Sequence, residues 1–243
     1  MNLASHVVNS ARVYPDRTAL RLGDDIVTYR TLDQRTARVA AMLRNRGVRP
    51  GDHVGLMLTD TPEFAFAYFG VLRAGGVVVP MNFLLKSSEV AYHLGDSGAR
   101  LLFAWHDFAD EARAGAQQAG AEAVVVDAGG FDELPASGPS ASDMADRHEN
   151  DTAVVLDTSG TTGEPKGSEL THGNLTHNCS IAAGRDAGAC AITAERLTAV
   201  TAEIPPPRTV GSGAQAASFL AVAPTPVTVT RAACRSEVPG TLR

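Results

Sequence analysis

The chain predicts an α/β protein, built from successive strand–helix units that form a mostly parallel sheet. Three observations carry that reading. Short apolar strands begin near Val54, Val77, Leu101 and Val124, at spacings of 23, 24 and 23 residues. Helix signals fill each interval between them. The units do not resemble one another, which argues for crossovers and against a repeat array. Strand, helix and strand at this spacing make the βαβ unit, whose crossover requires parallel neighbours.

Each element has a local cause. Leu3, Val7 and Val8 share one helical face, and Tyr14-Pro15 ends it. Strands at 18–22 and 26–29 flank Gly23-Asp24-Asp25, a hairpin pattern. Thr31 with Gln34 reads as a capping box. Leu32, Thr36, Val39, Ala40 and Leu43 then keep one helical face until Gly47 stops it. Further on, Thr61-Pro62 supplies a cap and a first turn, and Ser88-Glu89 opens the next helix. An Ala-rich run from 107 to 119 supplies another. The aromatic cluster Phe64, Phe66, Tyr68 and Phe69 reads as the core side of an amphipathic helix on a sheet, and Trp105 and Phe108 read likewise.

Residues 128–150 change character. Gly129, Gly130, Pro135, Gly138 and Pro139, with serines between, predict a flexible surface connection. A strand at 153–156 follows, then a Gly/Thr-rich loop, then a helix from His172 to about residue 183. After that the periodicity fails. Pro205-Pro206-Pro207 forbids regular structure, and 227–230 is the only late strand candidate. The organisation predicted is an α/β subdomain at 1–127, a linker at 128–150, a strand–loop–helix unit at 151–183 and an irregular tail at 184–243.

Composition narrows the function classes. The chain has 243 residues, a net charge of −6 and 44% hydrophobic content, ordinary for a globular protein. The acidic excess disfavours a nucleic-acid-coating role, which needs a concentrated basic face. The longest apolar stretch, from Phe64 to Leu72, falls well short of the ~20 residues of a membrane helix. The first 13 residues lack the basic start and apolar block of a signal peptide. Three cysteines, Cys179, Cys190 and Cys234, are odd in number and not in metal spacing, and fit reduced thiols in a cytoplasm.

The segment that carries chemistry is Asp157-Thr158-Ser159-Gly160-Thr161-Thr162-Gly163-Glu164-Pro165-Lys166-Gly167. Its parts suit a polyphosphate. Glycines let backbone N–H groups approach a ligand, hydroxyls donate hydrogen bonds, and Lys166 adds a positive charge. It is not a Walker A loop, because Lys166 follows Pro165 and precedes Gly167. Eleven ordered positions with a fixed lysine are far more specific than a generic Gly/Thr turn.

Residues 158–167 resemble the phosphate loop of the adenylate-forming superfamily, which includes acyl-CoA synthetases, luciferases and peptide-synthetase adenylation domains. Val27-Thr28-Tyr29-Arg30-Thr31-Leu32, Leu72-Arg73-Ala74-Gly75-Gly76-Val77-Val78-Val79-Pro80-Met81-Asn82 and Leu170-Thr171-His172-Gly173-Asn174-Leu175 resemble further family motifs in the same order. The resemblance covers roughly residues 1–183. It implies that Thr158, Ser159, Gly160, Thr161, Thr162, Gly163 and Lys166 contact the β- and γ-phosphates of ATP, with Mg²⁺, while a carboxylate attacks the α-phosphorus. It also implies capture of the acyl-adenylate by coenzyme A, with a fatty acid as the carboxylate. Two positions depart from the pattern: Asp157 where tyrosine is common, and Ser168 where a small aliphatic residue is common.

The later family motifs, for adenine, ribose and the acyl-phosphate lysine, do not occur in this sequence. The last 60 residues hold 13 Ala, 8 Thr, 6 Pro and 6 Arg but no Lys or His. Of the 13 aromatic residues, 12 lie within 1–131, so the two halves cannot build equal cores. The tail reads as coding sequence out of frame, with a natural linker as the competing explanation. The expectation is an acid–thiol ligase truncated and inactive alone. The alternative is a non-catalytic fragment with weak ATP-phosphate binding or a partner-dependent role. His172, His177 and Cys179 do not share one helix side, so no metal site is expected. The acidic stretch at 143–151 reads as solvated linker.

Overall fold

Local sequence sets the boundaries of nearly every element in the computed structural model, which describes residues 1–132, 134, 144–158, 166–185 and 227–229. Helix α1 (Ser5–Val13) is followed by the hairpin β1 (Thr18–Leu22) and β2 (Asp25–Thr28), paired antiparallel. Helix α2 (Tyr29–Asn45) comes next. Then β3 (His53–Met57), α3 (Pro62–Ala74), β4 (Val77–Pro80), α4 (Ser87–Ser97), β5 (Leu101–Trp105), α5 (Ala109–Ala119) and β6 (Glu122–Val126) alternate as the spacing predicts. The chain continues through β7 (Thr152–Thr158), β8 (Lys166–Thr171) and α6 (His172–Arg185). A short strand β9 (Val227–Val229) runs parallel beside β1, at the one late position where a strand is expected.

The main sheet has six strands in the order β6-β5-β3-β4-β7-β8. Every neighbouring pair is parallel except β7 with β8. Side chains alternate along the central strands and feed two cores. Val54, Leu56, Val78, Leu101, Phe103 and Val154 pack with α2 and α3, whereas Val77, Val79, Leu102, Ala104 and Val155 pack with α4 and α5. The predicted α2 face of Leu32, Thr36, Val39, Ala40 and Leu43 is buried throughout. Among the described residues, no helix is long and apolar enough to cross a membrane.

Four local expectations need correction. The α2 cap is Thr28, not Thr31: the Thr31 amide donates to Thr28 Oγ1 at 3.2 Å, because the strand's last residue doubles as the helix cap. Tyr29 accordingly opens the helix instead of closing the strand, and is 1% exposed. The α4 cap is Lys86, whose amide donates to Glu89 Oε2 at 2.8 Å. Helix α3 is not amphipathic. Twelve of its 13 residues are buried, since α2 covers the side that faces away from the sheet. Phe64, Phe66, Tyr68 and Phe69 are core, as expected.

The described ends of the 128–150 segment are tied down. Phe131 is buried against Phe103, and the Ala145 amide donates to the Arg73 carbonyl at 2.9 Å.

Close contact of α2 and α3 depends on Gly70. A Cβ there would lie 2.6 Å from Val39 Cβ, with the Thr36 carbonyl 3.4 Å away. Neither neighbour can yield without moving a helix. Gly70→Ala should therefore destabilise the chain by about 1–3 kcal/mol, the usual cost of overpacking a close-packed core. The shift of the urea midpoint, at unchanged slope, measures it.

Candidate functional site

The carboxyl edge of the parallel sheet is where open α/β folds bind ligands, because loops diverge there. Strand β7 runs parallel to β4, with Val154 opposite Val78, so it ends on the same edge as β3, β4 and β5. Strand β8 then returns antiparallel, in register from Thr158 opposite Lys166 to Thr152 opposite Thr171. The end of β7, Thr158, and the start of β8, Lys166, thus lie together at that edge.

The predicted phosphate contacts divide accordingly. Thr158 closes β7 and Lys166 opens β8, directly across the pair from each other. Ser159, Gly160, Thr161, Thr162 and Gly163 lie outside the described residues. The expectation that this loop runs straight into a helix is corrected: an entire strand, β8, intervenes before α6. Among the described residues β8 has β7 as its one strand neighbour, and Gly167, Ser168 and Glu169 are exposed. Glu169 Oε2 accepts a hydrogen bond from Thr152 Oγ1 at 2.6 Å, which adds a cross-strand link near the far end.

The edge holds other polar groups. Asp60 follows β3 and is half-buried, and burial raises its carboxyl above the usual carboxylate range. Thr61 Oγ1, at the α3 cap, is buried without a partner. Asn82 follows β4, and its Oδ1 accepts from the Leu84 amide at 2.9 Å. Sequence reading singled out none of these for chemistry. Their signal was positional: each follows a strand that ends at the ligand-binding edge.

The turn from β8 into α6 explains the Leu170–Leu175 motif in physical terms. The Thr171 amide donates to Asn174 Oδ1 at 3.1 Å, and the Asn174 amide donates to Thr171 Oγ1 at 3.1 Å. This is a reciprocal cap. It turns His172 inward, where the ring is fully buried. His172 Nδ1 accepts from the Leu3 amide at 3.1 Å, so the neutral ring carries its proton on Nε2, which is buried without a partner. The His172 and Gly173 amides donate to the carbonyls of Asp151 and Glu149 at 3.0 and 2.7 Å. A Cβ at Gly173 would stand 3.0 Å from the Glu149 carbonyl oxygen, which accounts for glycine there. His172 therefore acts in the packing, while His177 is exposed on another side of the helix. Among the described residues no three His, Cys, Asp or Glu side chains are grouped to hold a metal.

A model of the AMP-binding enzyme family matches residues 7–200. The chain belongs to that family. It is 40% identical to a feruloyl-CoA synthase of an Amycolatopsis species over 177 residues, which is 73% of this chain and 35% of that protein. It is 36% identical to a medium/long-chain-fatty-acid–CoA ligase of Mycobacterium tuberculosis (strain ATCC 25618 / H37Rv) over 164 residues, or 65% of this chain and 27% of that one. A benzoate CoA ligase structure from Burkholderia xenovorans LB400 superposes with a TM-score of 0.66 at 28% identity, over 74% of this chain and 36% of that one. The chain thus spans about a third of the length of the relatives it matches.

Titration of His172 gives a test of this corner. Burial, then the charges of Arg147 and of the Met1 amino group, push its pKa from 6.5 down to about 4, and Asp151 opposes them. The unfolded chain then binds the proton more readily than the folded one. The stability that His172 contributes is full above pH 6.5 and drains away as pH falls through that value towards 4. His6, also lowered by burial, adds in the same sense. Denaturation midpoints recorded between pH 7 and 4 should fall, and His172→Asn should flatten the fall.

Proposed function

We propose that this chain carries the ATP-phosphate-binding part of an acyl-CoA synthetase. The full reaction joins a carboxylate to ATP, forms an acyl-adenylate with release of pyrophosphate, and transfers the acyl group to the thiol of coenzyme A. The observation that supports it is that Thr158 pairs with Lys166 where β7 ends and β8 begins, at the two ends of the Gly/Thr-rich sequence.

In this reading Thr158, Ser159, Gly160, Thr161, Thr162, Gly163 and Lys166 surround the β- and γ-phosphates. Backbone N–H groups and hydroxyls supply donors, and the lysine neutralises charge that builds on the leaving pyrophosphate. Bound with the nucleotide, Mg²⁺ would supply further neutralisation there. The work of the loop is positioning and electrostatics, not covalent chemistry. Residues 1–127 serve as the scaffold subdomain, 128–150 as its connection and 151–183 as the phosphate-binding unit.

A fatty acid is the proposed carboxylate, in line with the similarity to the fatty-acid–CoA ligase. The 40% identity with feruloyl-CoA synthase makes an aromatic acid the second reading. Pyrophosphate exchange with ATP, Mg²⁺ and a panel of fatty and hydroxycinnamic acids separates the two, and exchange by neither class would overturn synthetase activity for this chain.

Binding is the more direct measurement. Lys166→Ala should weaken MgATP by about 1.5–3 kcal/mol, the range for hydrogen bonds to charged groups. MgATP and MgGTP should bind alike, since the assigned contacts all reach phosphate. Calorimetric titration of both nucleotides checks this. ATP-selective binding that survives the substitution would sink the assignment.

A further inference from the structure

We propose that His172 is a positioning residue for Lys166, acting by pinning the far end of β8 to the entrance of α1. The proposal rests on the phosphate-binding reading of Lys166.

Strand β8 ends the order of the main sheet and is held in it through its pairing with β7. It pairs with β7 alone among the described residues, and three successive positions, Gly167 to Glu169, are exposed. Such a strand can slip or fray unless its ends are fixed. Its first residue is Lys166, so its other end is where a fixing contact must act. Three independent elements meet there. The reciprocal Thr171–Asn174 cap fixes the turn into α6. The Asp151 and Glu149 carbonyls take the His172 and Gly173 amides. The His172 ring takes the Leu3 amide.

Of these, only the His172 contact is a buried side chain reaching an element distant in sequence, 169 residues away. It also carries a cost: Nε2–H is left without an acceptor inside the protein. A leucine there would leave the buried Leu3 amide without its acceptor. The contact that the imidazole supplies is therefore the one from Nδ1 to the Leu3 amide. Loss of that contact removes one tie at the far end of β8 and loosens the register with β7 on which the position of Lys166 depends.

The test uses the full chain and three variants: His172→Leu, which removes the acceptor; His172→Asn, whose Oδ1 can take the Leu3 amide; and Lys166→Ala. Magnesium tripolyphosphate is the probe, read by calorimetry. Amide exchange of β8 and of the α3 core is read in parallel. The sequence holds two lysines, Lys86 and Lys166, so acetylation of each by acetic anhydride can be followed separately by mass spectrometry.

His172→Leu is expected to weaken tripolyphosphate at least tenfold and to speed exchange in β8, with α3 amides still protected. Tripolyphosphate should shield Lys166 from acetylation in the wild type and fail to do so in this variant, with Lys86 unaffected in both. His172→Asn should recover binding to within about threefold. If His172→Leu binds like the wild type while Lys166→Ala does not, the positioning role is overturned and the phosphate site stands. If the wild type binds no tripolyphosphate, the phosphate reading fails and β8 exchange decides alone: unchanged protection in His172→Leu overturns the pinning role, and faster exchange upholds it. Should His172→Leu lose α3 protection as well, His172→Asn becomes the deciding variant. Wild-type binding and β8 exchange in it support the proposal, and weakened binding in a folded His172→Asn overturns it.

Discussion

The ion pair between Arg73 and Asp33 is the constraint on which the rest of the fold depends. Arg73 sits near the end of α3 and its side chain is 3% exposed, so its charge must be met inside the protein. Asp33 Oδ1 on α2 lies 2.5 Å from Arg73 Nη1, which also donates to the Asp33 carbonyl at 3.2 Å. Removal of Asp33 would leave the Arg73 charge buried and unmet, a loss that typically costs about 3–5 kcal/mol. A second buried charge on the same helix, Glu63, is met by the Gly129 amide at 2.9 Å. Both ends of a helix covered on all sides are thus fixed by charge, and the aromatic side chains between them have one way to pack.

That end of α3 also organises the path to the site. The Arg73 carbonyl accepts from the Ala145 amide and from Arg44 Nη2, and the Leu72 carbonyl accepts from Asn2 Nδ2 at 2.6 Å. Asn2 Nδ2 reaches the Ala145 carbonyl as well. Chain start, linker end and α3 are thereby tied together. From Ala145 the chain runs to the turn at 148–151, where the His148 amide donates to Asp151 Oδ2 and Arg147 pairs with Asp151. The same turn receives α6. A continuous set of hydrogen bonds therefore links the most buried helix to the strand that carries Lys166.

Much of this was legible from the sequence, and the reasons are physical. Apolar strands of four to five residues at even spacing leave a chain few options other than parallel βα units, and the four predicted starts all fall in or beside strands. The α2 face was legible because a half-buried helix writes a 3.6-residue period. Helix α3 was read as amphipathic because a helix buried on every side has no such period to read. The Thr28 cap was missed because a residue can end a strand and cap a helix at once. Strand β8, Lys166 to Thr171, was missed because an exposed edge strand of mixed polarity, Lys-Gly-Ser-Glu-Leu-Thr, has no apolar signature.

By itself the sequence determined the fold class and the core aromatics, since these follow from residue type and spacing along one chain. The ordered run of glycines, hydroxyls and one lysine is what suggests a phosphate ligand, and that reading uses residue type and order alone. Tertiary structure alone decided which strand ends share an edge, that Thr158 stands opposite Lys166, and that His172 bonds the backbone of Leu3. Those facts depend on strand order and on contacts between residues far apart in sequence. No local pattern encodes them, because they are set only when the buried charges and apolar faces of separate elements are satisfied together.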